Sequence, residues 1–186
     1  MHTAAGEPVS VDGRAGAGFR LADAHLTGYV ALDFDAFDAW YEEDDRIAGH
    51  PREPFHRVDV RRSARPVRIE LDGEVVADTT NARLLCETSL PLRFYLPRED
   101  VRAELHPGSM RTYCPYKGHA SSWSVDAGGR RHEDLGWSYE QPLPDMGAVA
   151  GLVAFWDERV EVFVDGQRRQ RPGGALSGAL RDEFGV

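Results

Sequence analysis

The segment from Val67 to Asp78 alternates apolar and polar residues around a central Asp-Gly pair. In the sequence VRIELDGEVVAD, the alternation has the two-residue period of a half-buried β-strand, whereas a helix needs a period near 3.6 residues. Asp72-Gly73 supplies the positive φ angles that a tight two-residue turn requires. The segment therefore predicts a β-hairpin and commits this part of the chain to a sheet.

Similar short strand patterns follow through the rest of the chain. A second Asp-Gly pair, Asp165-Gly166, ends the last of them. The predicted strands cover residues 83–87, 92–96, 111–116, 120–125, 134–139, 148–155 and 159–164. Many short strands with one or two short helices predict a mainly β fold, a single compact domain built as a barrel or as two packed sheets.

Two segments show helical features. In DFDAFDAWYEEDD, residues 33–45, aromatic residues recur at helical spacing behind Asp33 as a cap, which predicts a short amphipathic helix. Residues 97–105 begin with proline, which favours the first position of a helix, and predict a second short helix.

The remaining segments define the expected organisation of the chain. Residues 1–18 are small, polar and rich in glycine, which predicts a flexible tail. Residues 19–57 then form a helix-containing extension and linker, residues 58–166 the β domain, and residues 167–186 an irregular C-terminal tail.

Composition excludes several classes of function. The 186-residue chain carries a formal net charge of -9, which argues against binding to nucleic acid or to an anionic membrane. Its start lacks the basic and apolar segments of a secretory signal, and no apolar run approaches the ~20 residues of a membrane span. The two cysteines, Cys86 and Cys114, form no Cys-x-x-Cys pair, so a four-cysteine zinc site is excluded. We expect a cytoplasmic protein with reduced thiols, no metal and no cofactor.

Four longer motifs occur in an order similar to that of a known family. They are VADTTNARLLCETSLPLRFYLPREDV, TYCPYKGHASSW, LGWSYEQPLP and AGLVAFWDERVEVFVDG. Together they resemble the DUF427 family, a bacterial and fungal family named for its unknown function, over residues 58–166. The preceding segment looks like the connecting segment of members with two copies of the domain, so the chain resembles a shortened form of that type.

The resemblance implies a single β-rich domain, similar to the β-tent group of folds. Members of that group often carry zinc on two Cys-x-x-Cys pairs, which this sequence lacks, so the resemblance implies no metal here. The family pattern includes the Glu of ETS, the Tyr of FYLP, the Cys and Lys of CPYKG, and the Trp and Tyr of WSYE. In this chain these residues are Glu87, Tyr95, Cys114, Lys117, Trp137 and Tyr139.

Lys117 is the single lysine in a chain that otherwise uses arginine for its basic residues. Its amine is compact and loses its proton far more readily than a guanidinium. We therefore predict that Lys117 is a general acid or base, a Schiff-base former, or an anchor for a substrate carboxylate or phosphate. The alternative is that Lys117 has no specific role and occurs by chance on the surface of a strand.

Three neighbours complete a candidate catalytic set. Cys114 is a possible nucleophile. In a regular strand, residues 114 and 117 would point to opposite faces of the sheet. Both therefore reach one pocket only if the chain bends at Pro115 or Gly118. His119 shares the parity of Lys117 and is a secondary candidate base. Glu87 ends an apolar strand, where a partly buried carboxylate could pair with Lys117, or with Arg93 or Arg98 in a purely structural contact.

Four aromatic residues are candidate walls of a ligand pocket, with the hydrophobic core as their alternative. Trp137 and Tyr139 share one face of a predicted strand. The other two candidates are Tyr95 and Trp123. His50, His56 and Asp59 are residue types that can bind a metal, but their loop context offers no fixed geometry for one.

These residues predict an enzyme that acts on a small molecule by an unknown reaction, with a non-catalytic small-molecule binding module as the alternative. A third possibility is a structural or interaction domain without a deep pocket. An enclosed cleft holding Lys117 next to a carboxylate would favour the enzyme. We expect a small-molecule ligand or substrate as the partner, and the oligomeric state stays open.

Overall fold

Strands make up about 52% of the residues that the structure describes and helices about 9%, which confirms the predicted mainly β fold. The computed structural model describes residues 5–173 and residue 178. The chain forms two units, one ending at Pro51 and the other beginning at Arg52.

The first unit contains a three-stranded antiparallel sheet and a separate hairpin. The sheet consists of β1 (Gly6–Val11), β2 (Arg14–Leu21) and β3 (Ala31–Leu32), and the hairpin of β4 (Trp40–Glu42) and β5 (Asp45–Ile47). Two 3-10 helices, Ala24–Leu26 and Phe34–Ala36, lie in the same unit.

The predicted flexible tail over residues 1–18 is wrong for residues 6–18. These residues form β1 and most of β2, which pair in antiparallel register. Asp12 and Gly13 adopt φ angles of 49° and 76°, so they form a tight hairpin turn of the kind predicted for Asp72-Gly73. The Asp-Gly signal was present here and outweighed the glycine-rich composition. Residues 1–4 lie outside the described residues.

The predicted helix over residues 33–45 is also wrong. The Asp33 carboxylate does accept the N–H of Asp35, at 3.2 Å, but the 3-10 helix it caps ends at Ala36. Trp40 then folds back, so that its ring stacks on Phe34 with centroids 5.2 Å apart. The aromatic residues therefore pack on one another across a chain reversal instead of lining one face of a helix.

The second unit contains two antiparallel sheets, neither of which closes into a barrel. The larger sheet has the strand order β11-β12-β13-β14-β10-β9-β6 and the smaller one the order β16-β15-β7-β8. Its strands are β6 (Val58–Arg62), β7 (Val67–Leu71), β8 (Glu74–Thr79), β9 (Arg83–Glu87), β10 (Arg93–Leu96), β11 (Leu105–Cys114), β12 (Gly118–Ala127), β13 (Arg130–Ser138), β14 (Val153–Phe155), β15 (Glu161–Val164) and β16 (Gln167–Arg168). The 3-10 helices of this unit are Arg98–Asp100 and Pro144–Val149.

Most predicted strands are present, with shifted ends. Asp72 and Gly73 have φ angles of 49° and 83°, which confirms the turn between β7 and β8. The strand predicted over 148–155 is shorter because a 3-10 helix occupies its beginning. The helix predicted over 97–105 is confined to Arg98–Asp100. The predicted irregular tail begins with the two-residue strand β16, and its residues 174–177 and 179–186 lie outside the described part of the chain.

The larger sheet buries both of its faces. Successive residues of a strand point to opposite faces. In β10, Phe94 and Leu96 join the core that the two sheets share, whereas Tyr95 belongs to a second cluster with Leu85 and Tyr139. The second cluster defines the face that carries the candidate site.

No helix in the described part of the chain is both long and apolar enough to cross a membrane.

Candidate functional site

A partly enclosed cavity of about 180 Å³ lies on the second face of the larger sheet. This volume has room for a ligand of roughly ten non-hydrogen atoms. Its walls are mostly apolar and aromatic, with three charged side chains among them. The residues that line it include Leu85, Glu87, Arg93, Tyr95, Tyr113, Cys114, Lys117, Ser122, Trp137, Tyr139 and Trp156.

A tight turn between β11 and β12 brings Lys117 into this cavity. The strands end and begin at Cys114 and Gly118, and the Lys117 N–H donates to the Cys114 carbonyl at 3.2 Å. Gly118 has a φ angle of 99°, which a residue with a β-carbon rarely adopts. The bend that the sequence required between Cys114 and Lys117 is thus present, and both residues line the same cavity.

Lys117 and Glu87 form a buried ion pair at the cavity. The Lys117 Nζ lies 2.5 Å from Glu87 Oε2, and the two side chains are only 9% and 5% exposed. Glu87 reaches this position because it follows Leu85 at a two-residue interval on β9, so both side chains point to the cavity face. The pair places a proton donor and a carboxylate side by side in a largely apolar surrounding.

His56 extends this pair toward the solvent. Its Nε2 lies 3.1 Å from Glu87 Oε1. Lys117 contacts the other carboxylate oxygen, Oε2, at 2.5 Å. The His56 ring stacks on Tyr116 with centroids 4.3 Å apart, and the Tyr116 hydroxyl accepts the N–H of Glu53 at 2.7 Å. The segment before β6 is thereby fixed against the turn that carries Lys117.

The aromatic wall is held together by polar contacts. The Trp137 indole N–H donates to the Tyr95 hydroxyl at 3.0 Å, and Trp137 also packs on Trp156 with centroids 4.5 Å apart. Burial raises the pKa of both Tyr95 and Tyr139 well above the ordinary value of a phenol. Both hydroxyls therefore stay protonated and present neutral, rigid rings to the cavity.

A second buried ion pair lies at the aromatic wall. The Arg93 guanidinium donates twice to Glu158, at 2.8 Å each, and lies 5.4 Å from the centre of the Trp156 ring. Burial raises the pKa of the neighbouring Asp157 to about 6, although Arg93 and Arg169 act in the opposite direction. Arg93 is thus charge-balanced by Glu158 and acts as a scaffold for the aromatic rings.

Two predicted site residues lie outside the cavity, which corrects the expectation for them. The His119 side chain is exposed and packs on the Tyr113 ring, with centroids 4.8 Å apart. It is not among the residues that line the cavity, whereas the turn brings Lys117 into the lining. Trp123 packs against the core between the two sheets, and its indole N–H donates to Ser138 at 2.7 Å.

The histidines and aspartate considered as metal ligands have other partners. His56 binds Glu87, while the Asp59 carboxylate accepts hydrogen bonds from Arg57 and Arg61. His50 belongs to the first unit, which ends at Pro51.

Three residues of the site were not predicted from the sequence. For two of them the sequence contains features that indicate a place near the site. Arg93 points to the same face of its strand as Tyr95, and Trp156 directly follows the buried strand β14. His56 has no such feature, since its contact with Glu87 joins a loop to a strand 31 residues away.

The fold and the cavity define a class of β-rich domain in which an amine–carboxylate pair is buried beside an aromatic wall. The family described as a domain of unknown function (DUF427) matches residues 59–166, which is more than half of the chain. The protein therefore belongs to the DUF427 family. No curated protein matches the chain.

Proposed function

We propose that the protein is an enzyme that transfers protons on a small, uncharged molecule held in the aromatic cavity. The observation that carries this proposal is the distance of 2.5 Å between Lys117 Nζ and Glu87 Oε2 in a cavity with room for a ligand. A carboxylate and an amine side by side in one cavity can accept and donate a proton at the same ligand.

The charge balance of the cavity supports an uncharged substrate. Three charged residues line it, namely Glu87, Arg93 and Lys117. Glu87 offsets Lys117 and Glu158 offsets Arg93, each within 2.8 Å, so no net charge remains to attract a carboxylate, phosphate or ammonium group. Flat aromatic walls favour a planar ligand, and the buried phenols add no charge.

The chemistry follows from the two protonation states of the pair. Glu87 as a carboxylate accepts a proton from the substrate, and the Lys117 ammonium donates a proton to the atom where negative charge develops. Glu87 then holds the extra proton and Lys117 lacks one, so transfer of that proton between them restores the starting state. The pair thus supplies both the acid and the base of a proton-transfer reaction.

Turnover of uncharged aromatic metabolites tests this proposal. A pooled library of such compounds is incubated with the protein and followed by mass spectrometry. We expect at least one compound to be consumed, and Glu87→Gln to consume it about a hundredfold more slowly or worse. Glu99→Gln, which removes an exposed carboxylate, serves as the matched control and should match the wild type. Equal rates for Glu87→Gln and the wild type would contradict the proposal.

A non-catalytic binding module is the second candidate function. It is favoured by the fact that Lys117 and Glu87 already satisfy each other's charge, since a fully paired network makes a rigid site. The two candidates differ in the turnover experiment. A compound that binds and is never consumed identifies the binding module.

A further inference from the structure

We propose that His56 is the proton-exchange residue of this site and connects the Lys117–Glu87 pair to solvent. The inference rests on the proposed acid–base function of the pair and assigns the route by which the pair exchanges its proton. His56 lies just before the segment matched by the family, so nothing in that match assigns it a role.

The geometry forms a continuous chain of three groups. Lys117 Nζ contacts one carboxylate oxygen of Glu87 at 2.5 Å, and His56 Nε2 contacts the other at 3.1 Å. The Glu87 side chain is 5% exposed, whereas that of His56 is 23% exposed. His56 is therefore the most exposed member of the chain, and it contacts the Glu87 oxygen on the side away from Lys117.

The surroundings of His56 hold it in the orientation that this route requires. The ring stacks on Tyr116, which is itself held by the N–H of Glu53. Arg52 adds a hydrogen bond from its Nε to the Pro115 carbonyl at 2.9 Å. These contacts tie the loop before β6 to the turn at 115–117, so the imidazole stays against Glu87.

The proton transfer balances with no further reactant. A carboxylate accepts hydrogen bonds, so neutral His56 must carry its proton on Nε2 and leave Nδ1 as the acceptor. Water donates a proton to Nδ1 and returns to the solvent as hydroxide, while the Nε2 proton passes to Glu87. The imidazole is neutral before and after but now carries its proton on Nδ1, and the proton on Glu87 is then available to Lys117 or to a ligand. The same steps in reverse remove a proton from the pair.

The groups that face His56 are the carboxylate of Glu87 from β9 and the neutral phenol ring of Tyr116 from the turn. Lys117 lies on the far side of Glu87 and supplies the balancing positive charge. A histidine between a carboxylate and water is the arrangement in which imidazole moves protons in both directions.

Because the chain has one lysine, NMR resolves this exchange without any ligand. The ammonium of Lys117 gives a single lysine Nζ signal, and its rate of proton exchange with water is measured in the ligand-free protein. We expect His56→Gln to slow this exchange about tenfold or more, because the route through imidazole is lost. Free imidazole added to His56→Ala should restore the rate, which a purely structural role of His56 would not produce.

A matched control removes a histidine–carboxylate pair elsewhere in the same sheet. His106 Nε2 lies 3.0 Å from Asp126, and neither residue lines the cavity. The exchange rate in His106→Gln should equal that of the wild type. An unchanged rate in His56→Gln, no effect of imidazole on His56→Ala, or equal slowing in His106→Gln would each overturn the inference.

The wild-type protein provides a test that requires no variant to fold. Nitrogen-15 NMR should show the neutral His56 ring with its proton on Nε2, and a ring protonated on Nδ1 would overturn the inference. Turnover that depends on Glu87, combined with exchange that does not depend on His56, would refute this inference and leave the proposed enzyme function standing.

Discussion

Lys117 and Glu87 lie 30 positions apart in the sequence and meet at 2.5 Å between Nζ and Oε2. The strand β9 brings Glu87 to the cavity face, and the turn between β11 and β12 brings Lys117 to the same place. Burying two opposite charges costs solvation that their attraction offsets only when both partners are present. The stability of the fold should therefore depend on the two residues jointly.

The first prediction concerns this dependence. Lys117→Met leaves the Glu87 carboxylate buried without its cation, and should lower the free energy of unfolding by about 3–5 kcal/mol. The double variant Lys117→Met/Glu87→Met removes both charges and should be as stable as the wild type or more so. Urea unfolding of the three proteins measures both effects. A single variant as stable as the wild type would show that the pair is not buried in solution.

The second prediction concerns pH. Burial raises the pKa of Asp157 to about 6 in the folded protein, from an ordinary value of 3.8. Between these pH values the unfolded state has already released the Asp157 proton, whereas the folded state still holds it. The stability that protonated Asp157 contributes below pH 3.8 is therefore lost as the pH rises through about 6. Asp157→Asn removes this loss, because the amide does not ionise.

The free energies of unfolding of Asp157→Asn and of the wild type are therefore compared at several pH values. The variant should gain about 2 kcal/mol relative to the wild type between pH 4 and pH 7, since each unit of pKa shift corresponds to about 1.4 kcal/mol and the change is already partly complete at pH 4. Glu99→Gln, at an exposed position, is the control and should show no such trend. A constant difference for Asp157→Asn across this range would refute the raised pKa.

The third prediction concerns the aromatic wall. Tyr95→Phe removes the hydroxyl that accepts the Trp137 indole N–H at 3.0 Å, and leaves that buried donor without its partner. The cost should be about 1–3 kcal/mol in the free energy of unfolding. Tyr139→Phe, at a similarly buried phenol of the same cavity, should cost less because the Trp137 indole donates to Tyr95 and not to Tyr139. Equal costs for both variants would count against the role of this hydrogen bond.

Local sequence patterns predicted the parts of the fold that depend on neighbouring residues. The alternation of Val67–Leu71 and the turn at Asp72-Gly73 are properties of adjacent positions, so both were predicted correctly. The Asp12-Gly13 turn has the same chemistry, but the small, glycine-rich residues around it carry no apolar alternation that marks a strand. In residues 33–45 the aromatic spacing suited a helix, but contact between Phe34 and Trp40 stabilised a reversal.

The site was predictable where composition or strand parity marked it. Lys117 stood out as the one lysine, and Glu87 as a carboxylate at the end of an apolar strand. His119 lies outside the cavity because the chain turns at Gly118. The alternation of side chains along a strand does not predict the geometry of that turn. His56 joins the site through contacts between a loop and two distant elements, and no pattern of adjacent residues records such contacts.

The central claim is that Lys117 and Glu87 meet an uncharged ligand in the aromatic cavity. The most direct measurement follows the single lysine Nζ signal during titration with benzamide, benzoate and benzamidinium, which share one shape and differ in charge. Lys117→Arg should abolish the binding of benzamide, measured by Trp fluorescence. In the wild type we expect a saturable shift of the Lys117 signal with benzamide, and binding of the two ions that is at least about tenfold weaker, because a buried charge without a partner is costly. Stronger binding of benzoate, or no shift of the Lys117 signal with any of the three, would contradict the central claim.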